Sequence, residues 1–375
     1  MNNSDCHYCF DYLNRKNSEL EFYSNRSHHR NLDLKINTLS DVYFLPGTKF
    51  RGGGLVQDNN YIPESYISSS AAKIYDYSIQ NAEEFNGDAI YIGIFHNIWG
   101  HCLTDNLKHL WFTLDNEWME RHKSLPLVYS TIYGSSILPE NFVWILSKLG
   151  ITIDRLLPIT AVTHFKKLIF PDQCFFHYGQ EDNVCYTDEY SNLVTRIQNN
   201  IPSSSLQKVY FSRTKIKSKK DWGEIKIERA FANNGYSIFY PEQMTIEQQI
   251  SIIKGASILA TTEGSIAHNA VFLPLNGNLV ILKKANYING YQFLICELRK
   301  LNTTFIDIGR STILFDKRYP YLGPFFMYVS CFLSQYLRIK KPIFPYISYF
   351  SYVLVSYCNK LIRKAKLFIL RVINQ

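Results

Sequence analysis

No acidic residue occurs between Tyr319 and Gln375, although eight Lys and Arg residues do. The chain has 40 basic and 32 acidic residues over 375 positions, so the part before Tyr319 is balanced and the net charge of +8 belongs to the last segment. Other absences narrow the function. No GxGxxG follows a strand, which disfavours an ordinary dinucleotide dehydrogenase. No Asp-x-Asp stands on a strand-end loop, so a metal bridging a diphosphate is not expected and no cofactor is called for. Cys6-His7-Tyr8-Cys9 is a CxxC without a second CxxC or a spaced His pair, which leaves a zinc site incomplete. The eight cysteines fall into no disulfide framework and read as free thiols in a reducing compartment. No charged-then-apolar leader is visible, so export by a cleaved signal is not expected, nor is a lumenal enzyme of eukaryotic type. Internal repeats and low-complexity tracts are also missing.

The last segment is aromatic as well as basic. Tyr319–Leu337 and Pro342–Asn359 are uncharged runs, with Arg338, Lys340 and Lys341 between them and Lys360, Arg363, Lys364, Lys366 and Arg371 after them. Each run is short for a bilayer span and is interrupted by proline near its start. The expectation is an interfacial attachment of residues 319–375 to an anionic membrane surface. A helical layer packed on the core is the alternative. Nucleic acid is not expected, because the cations are interleaved with apolar runs instead of forming a polar stripe.

The most informative stretch is Thr245–Pro274. Thr245 and Gln248 fit a capping box, and Gly255 suits a helix stop. Ser257–Thr261 suits a buried strand, and Gly264-Ser265 opens a further helix that ends near Pro274. A glycine turn running into a helix N-terminus presents free N–H groups to an anion. Around it, Lys208–Ser212, Tyr236–Tyr240, Asn278–Lys283 and Thr303–Ile308 read as strands, and Glu224–Asn234 and Gln292–Leu301 as helices. This alternation predicts a parallel sheet covered on both faces, with ligands beyond the carboxyl ends of its strands. Arg213 and Thr261–Ser265 fall on that edge.

These residues resemble the signature region of the family 61 glycosyltransferases. The resemblance is carried by Ser212-Arg213, Gly235-Tyr236-Ser237-Ile238, Pro241-Glu242, Gln249-Ile250, Glu263-Gly264-Ser265, His268-Asn269, Phe272 and Pro274. Upstream, Trp99-Gly100-His101 with Asp105, Leu110 and Trp111 is similar to the family's Gly-His-x-x-x-Asp…Leu-Trp element. Many relatives have His where this chain has Glu263. The resemblance implies a two-domain GT-B plan, with two Rossmann-like domains and the nucleotide-sugar donor in the C-terminal half. The expected division is an acceptor-side α/β domain over 1–200, a nucleotide-sugar domain over 206–310 and the tail over 319–375, with Ile201–Ser205 as linker.

The N-terminal half is less regular, though Asp88–Phe95 and Leu125–Ser130 read as strands and Thr187–Asn199 as a helix. Over 101–118, Leu103, Leu107, Leu110 and Leu114 form an apolar stripe at helical spacing. His101, Asp105 and Lys108 fall on the opposite side. His101 is the preferred general base, since its ordinary pKa lies near working pH and Asp105 one turn on could orient it. Asp105 or Glu263 is the second choice, and a merely polar helix face is the plain alternative. Arg213 and Lys217, together with Glu263, Gly264, Ser265, His268 and Asn269, are the donor-binding candidates. Ser265 taken alone suits a simple N-cap equally well.

The expected activity is inverting, metal-independent transfer of a sugar from a nucleotide sugar to a lipid-linked or growing surface polysaccharide of a bacterial capsule type. The protein would sit on the cytoplasmic face of the membrane. The alternatives are a polysaccharide pyruvyl-transferase-like enzyme and an idle membrane-bound assembly partner.

Overall fold

The structure is a computed structural model and describes residues 6–13, 18–48, 52–66, 75–178, 183–216, 221–285, 289–309 and 324–373. Lys217, one of the donor-binding candidates, lies outside the described residues. The chain folds as a mixed α/β protein around two large sheets.

The first sheet is wholly parallel. Its strands lie in the spatial order His7–Tyr12, Asn302–Asp307, Asn278–Lys283, Ile258–Thr262, Lys208–Phe211, Ser237–Phe239. Alternate side chains serve opposite faces, as the two-residue period of a strand requires. Val209, Phe211, Leu259, Leu279 and Ile281 join one buried cluster. Tyr210, Ala260, Val280, Leu282 and Ile306 join another beneath Ile227 and Phe231. Both faces are therefore covered, which is why these strands read as near-continuous apolar runs. The outer strand, His7–Tyr12, comes from the start of the chain, a region grouped with the acceptor side when the sequence is divided at residue 200.

The second sheet differs from the Rossmann-like unit expected of the N-terminal half. Thr163–Pro171, Ala89–Phe95, Leu127–Thr131 and Leu156–Pro158 run parallel, but Ile36–Leu45, Gly54–Gln57 and Asn60–Ile62 add an antiparallel wing. Short links such as the Asp58-Asn59 turn, both residues in the left-handed region, permit hairpins where a parallel unit would need long crossovers. The two sheets share one core, because Ile90 and Ile92 of the second belong to the same buried cluster as Val209 and Phe211 of the first.

The tail divides in two. Cys331–Leu337 is a helix whose Leu333 and Leu337 are buried on the parallel sheet, and Ser330 Oγ donates to the Asp307 carbonyl at 2.5 Å. This part is the packed layer held as the alternative, since its apolar residues find a sheet face to cover. The second part, Tyr346–Ile373, is a single helix of 28 residues. Among the described residues no helix is long and apolar enough to cross a membrane.

The capping box forms as expected, with the Thr245 side chain accepting from Gln248 N. Gly255 has a different task from the one expected. It ends the helix Ile246–Gly255 without a left-handed turn, and a Cβ there would stand 2.1 Å from the Ser204 carbonyl oxygen. The Ile201–Ser205 stretch is thereby held against the helix, and Ser204 N also donates to Ser251 O at 3.0 Å. Gly255→Ala should destabilise the protein by about 1–3 kcal/mol through overpacking, against the roughly 1 kcal/mol that alanine gains by helix propensity. Urea unfolding checks this, and a variant more stable than the wild type would mean that the 201–205 segment yields freely.

Candidate functional site

In the parallel sheet the chain leaves Lys208–Phe211 toward Ser237–Phe239 on one side. It leaves Ile258–Thr262 toward Asn278–Lys283 on the other. The winding reverses between these neighbours, and it is beyond the carboxyl ends at such a reversal that open α/β sheets place their ligand crevice. Ser212-Arg213-Thr214 forms one lip and Glu263-Gly264-Ser265 the other.

The first lip is fastened by carboxylates from the helix Glu224–Ala232. Arg213 N donates to Glu224 Oε1 at 2.9 Å, and Ser212 Oγ and Thr214 Oγ1 each donate to Glu228 Oε2 at 2.7 Å. Burial raises the pKa of Glu224, and the Arg213 backbone N–H and the Lys284 and Arg213 charges act against it. None of these bonds uses the Arg213 guanidinium. Glu224 and Glu228 were not found by sequence reasoning, since a helix with scattered acids gives no sign that it faces a loop.

The second lip differs from the expected helix N-terminus. The helix is a six-residue 3-10 segment, Ala267–Phe272, with all six residues buried and Pro274 close behind. Such a short segment carries little macrodipole, so the turn offers only its local N–H groups. Gly264 has φ +113°, which requires glycine. The Glu263 carboxylate faces back into the sheet. Its Oε2 lies 3.1 Å from Lys283 Nζ, and its Oε1 accepts from Lys284 N at 2.7 Å and Ala285 N at 2.8 Å.

His101 and Asp105 follow the carboxyl end of Ala89–Phe95. The helix expected over 101–118 is broken into Trp99–Cys102, Asp105–Leu107, Trp111–Leu114 and Asn116–Arg121. Leu103, Leu107 and Leu110 are buried, but so are Asp105, Asn106, Lys108 and His109, so most of the expected polar side is turned inward and His101 alone of its three residues is partly exposed. Tertiary hydrogen bonds shape the segment instead. Asn106 Oδ1 accepts from His96 N and its Nδ2 donates to His96 O, both at 2.9 Å. Lys108 Nζ donates to the carbonyls of Glu64 and Tyr66.

His101 and Asp105 do meet, with Nδ1 2.5 Å from Oδ2. The Asp105 side chain is 1% exposed and that of His101 33%, so the imidazole lies at the opening with the carboxylate beneath it. The single Thr104 hydroxyl proton is shared between the Gly100 carbonyl at 3.0 Å and Asp105 Oδ2 at 3.2 Å, and Tyr291 OH donates to Oδ1 at 3.0 Å. Burial pushes the Asp105 pKa up, but His101, His177 and Tyr291 together outweigh it and hold the group below the ordinary carboxylate range.

The same loop closes on the second lip. Trp99 Nε1 donates to Asn269 Oδ1 at 2.8 Å. A Cβ on Gly100 would stand 2.8 Å from His268 Nδ1 and 3.0 Å from Ser265 Oγ, so glycine lets the segments touch. His268 Nε2 lies 3.2 Å from Asn289 Nδ2. The structure thus brings His101, Asp105, Ser265, His268 and Asn269 together from two sheets. Burial, reinforced by His101, lowers the pKa of His96 and of His268 to about 4, and both rings are neutral near pH 7. Burial also lowers Lys108 to about 7, although Asp105 and Glu64 raise it. Tyr291 and Asn289 were missed by sequence reasoning, because a residue reaching across from another sheet leaves no local pattern. Among the described residues no group of three His, Cys, Asp or Glu side chains could hold a metal ion.

Residues 99–280 match the family model described as Glycosyltransferase 61, a span that starts at Trp99 and takes in both lips of the crevice. No curated protein matches the chain.

The buried histidines set an acid limit on stability. Their folded pKa values lie below the ordinary 6.5, at about 4 for His268 and about 3 for His109, where burial and then Lys108 lower it. Each therefore contributes stability that is full above pH 6.5 and is lost as pH falls toward its folded value. The loss is up to about 1.4 kcal/mol per pH unit for each group. Urea unfolding at pH 7 and pH 5 should show the fall, and His268→Asn should make it shallower. An unchanged slope in that variant would rule out His268 as a contributor.

Proposed function

Taking as premise that this chain is a glycosyltransferase of family 61, we propose that the crevice between Arg213 and Gly264-Ser265 takes the diphosphate of a nucleotide sugar. His101 then activates the acceptor. The observation that carries this reading is the joining of the His101–Asp105 pair to the lip at the reversal point, through Trp99–Asn269 and the Gly100 contact.

The chemistry follows from charge. The acceptor oxygen attacks the anomeric carbon as the bond from that carbon to the phosphate oxygen breaks, and the electron pair leaves with the diphosphate. The acceptor proton passes to His101 Nε2, while Asp105 holds Nδ1–H and stabilises the imidazolium. A single displacement of this kind inverts the anomeric configuration. Arg213 and the turn N–H groups meet the leaving-group charge, and no metal enters the scheme. Ser265, His268 and Asn269 shape the donor side. With its carboxylate engaged by Lys283 and two N–H groups, Glu263 serves as a clamp between strand ends. The pyruvyl-transferase-like and idle-partner readings gain no support from the family match.

The acceptor in this reading is lipid-linked or a growing polysaccharide, reached from the cytoplasmic membrane surface. Support comes from the helix Tyr346–Ile373. Tyr352 packs it against Trp222 and Phe326. On the outward side Ile347, Phe350, Leu354, Tyr357 and Leu361 follow at spacings of three and four, with Ile347 85% and Phe350 67% exposed. No acid occurs anywhere along the helix, and five basic residues fall in its second half. An apolar row on an acid-free cationic helix suits an anionic lipid surface.

Arg213→Ala should weaken UDP or GDP binding by about 1.5–3 kcal/mol, the scale of a charge-assisted contact. Unchanged affinity by calorimetry, with the fold intact, would sink the diphosphate placement. His101→Ala should lower turnover about 10²–10⁴-fold across a panel of nucleotide sugars. Glu263→Gln should lower the melting temperature more than the turnover, and the opposite result would return Glu263 to the chemistry. Phe350→Glu with Leu354→Glu should abolish sedimentation with vesicles containing phosphatidylglycerol, while raised salt should reduce it only in part. Full sedimentation of the double variant would remove the helix from attachment.

A further inference from the structure

Asp105 has two oxygens and serves two sheets. Oδ2 faces His101 Nδ1, and Oδ1 accepts from Tyr291 OH. Tyr291 lies in the first turn of the helix Gly290–Arg299, which follows Asn278–Lys283 in the parallel sheet. Its oxygen also lies 3.3 Å from His177 Nδ1. A phenol has one proton, and a carboxylate can only accept. The Tyr291 proton therefore goes to Asp105, and the contact with His177 requires Nδ1–H of His177 to donate to the phenol oxygen. Donors then run in one direction, from His177 through Tyr291 to Asp105. The same helix start holds the donor side, because Asn289 caps Tyr291 N and reaches His268.

We propose that Tyr291 is a positioning residue that sets the basicity of His101 by sharing the charge of Asp105. The proposal rests on the reading of His101 as the base, and extends it to a residue on the opposite sheet. The physical argument is a competition. A carboxylate that accepts a hydrogen bond from a neutral phenol has less charge to lend to an imidazolium on its other oxygen. Removing the phenol leaves more of that charge to His101, beside the Thr104 hydroxyl on the same oxygen, and strengthens the ion pair. His101 should then hold its proton to higher pH and become a poorer acid when the proton must be released. Other charged or titratable groups also face this pair. His96 stacks on His101 with ring centres 4.2 Å apart, His268 lies against Gly100, and Lys108 is within electrostatic reach of Asp105. His96 and His268 are neutral at pH 7, so they leave the competition between His101 and Tyr291 unaltered there.

The test follows the His101 imidazole by NMR titration in the full chain, without any substrate. In Tyr291→Phe the midpoint of His101 should rise by about 0.5–1 pH unit, which corresponds to about 0.7–1.4 kcal/mol. His177→Gln, which removes the donor behind the phenol but keeps Tyr291, should shift it by less in the same direction and covers the case in which Tyr291→Phe does not fold. UDP and GDP affinities should stay within about twofold of wild type in both, because neither residue belongs to the diphosphate lips. A His101 midpoint that stays in place, or falls, in the folded variants overturns the proposal, whatever happens to turnover. A normal turnover in His101→Ala would instead overturn the base assignment and leave the titration result standing by itself. The two failures are therefore told apart.

Discussion

A carboxylate removed from water must be matched by donors, and Asp105 finds them only where the two sheets meet. Its own segment supplies His101 and Thr104, and the parallel sheet supplies Tyr291. Leaving one of these partners unmade leaves part of a buried carboxylate unmatched, a penalty of about 1–3 kcal/mol. The docking of the sheets and the arrangement of the site are therefore the same requirement. The large shared core holds the halves at that separation, and the polar seam of Trp99, Asn269, His268 and Asn289 fixes their register.

The legible part of the fold was the part governed by local rules. Asn278–Lys283 reads as a strand with its observed limits, and Lys208–Phe211, Ile258–Thr262 and Asn302–Asp307 lie within about one residue of expectation, because both sheet faces are covered and the runs are apolar. The Thr245 cap was equally readable. Where tertiary contacts overrode periodicity, reading failed. Residues 101–118 have a helical stripe, yet buried Asn106 and Lys108 bond to distant backbone and break it into turns. The short strand His7–Tyr12 has nothing beside it in sequence to show that its partner is Asn302–Asp307.

The site was legible as residue types and less so as roles. His101 and Asp105 were named as a pair four residues apart and do touch, although the helix that suggested the spacing is absent. Glu263 was grouped with the chemistry because of its place in the Glu-Gly-Ser turn. Its partners Lys283, Lys284 and Ala285 belong to a strand end some twenty residues later, so only the folded sheet reveals the clamp. Glu224 and Glu228, which fasten the Arg213 loop, and Tyr291, which reaches Asp105, lie beyond any local window.

The strand His7–Tyr12 has a consequence for how the chain is made. It leaves the ribosome well before the strand it pairs with, Asn302–Asp307, which is synthesised nearly 300 residues later. Loop closure over such a distance is slow compared with the hairpins of the second sheet. The nascent chain must therefore carry an unpaired, partly apolar β-segment through most of its synthesis, while the edge it will cover is not yet built. Once Asn302–Asp307 has joined its sheet, that edge stays open to strand addition until His7–Tyr12 arrives. A chain in which this long-range pairing has not yet formed exposes a templating edge to its neighbours.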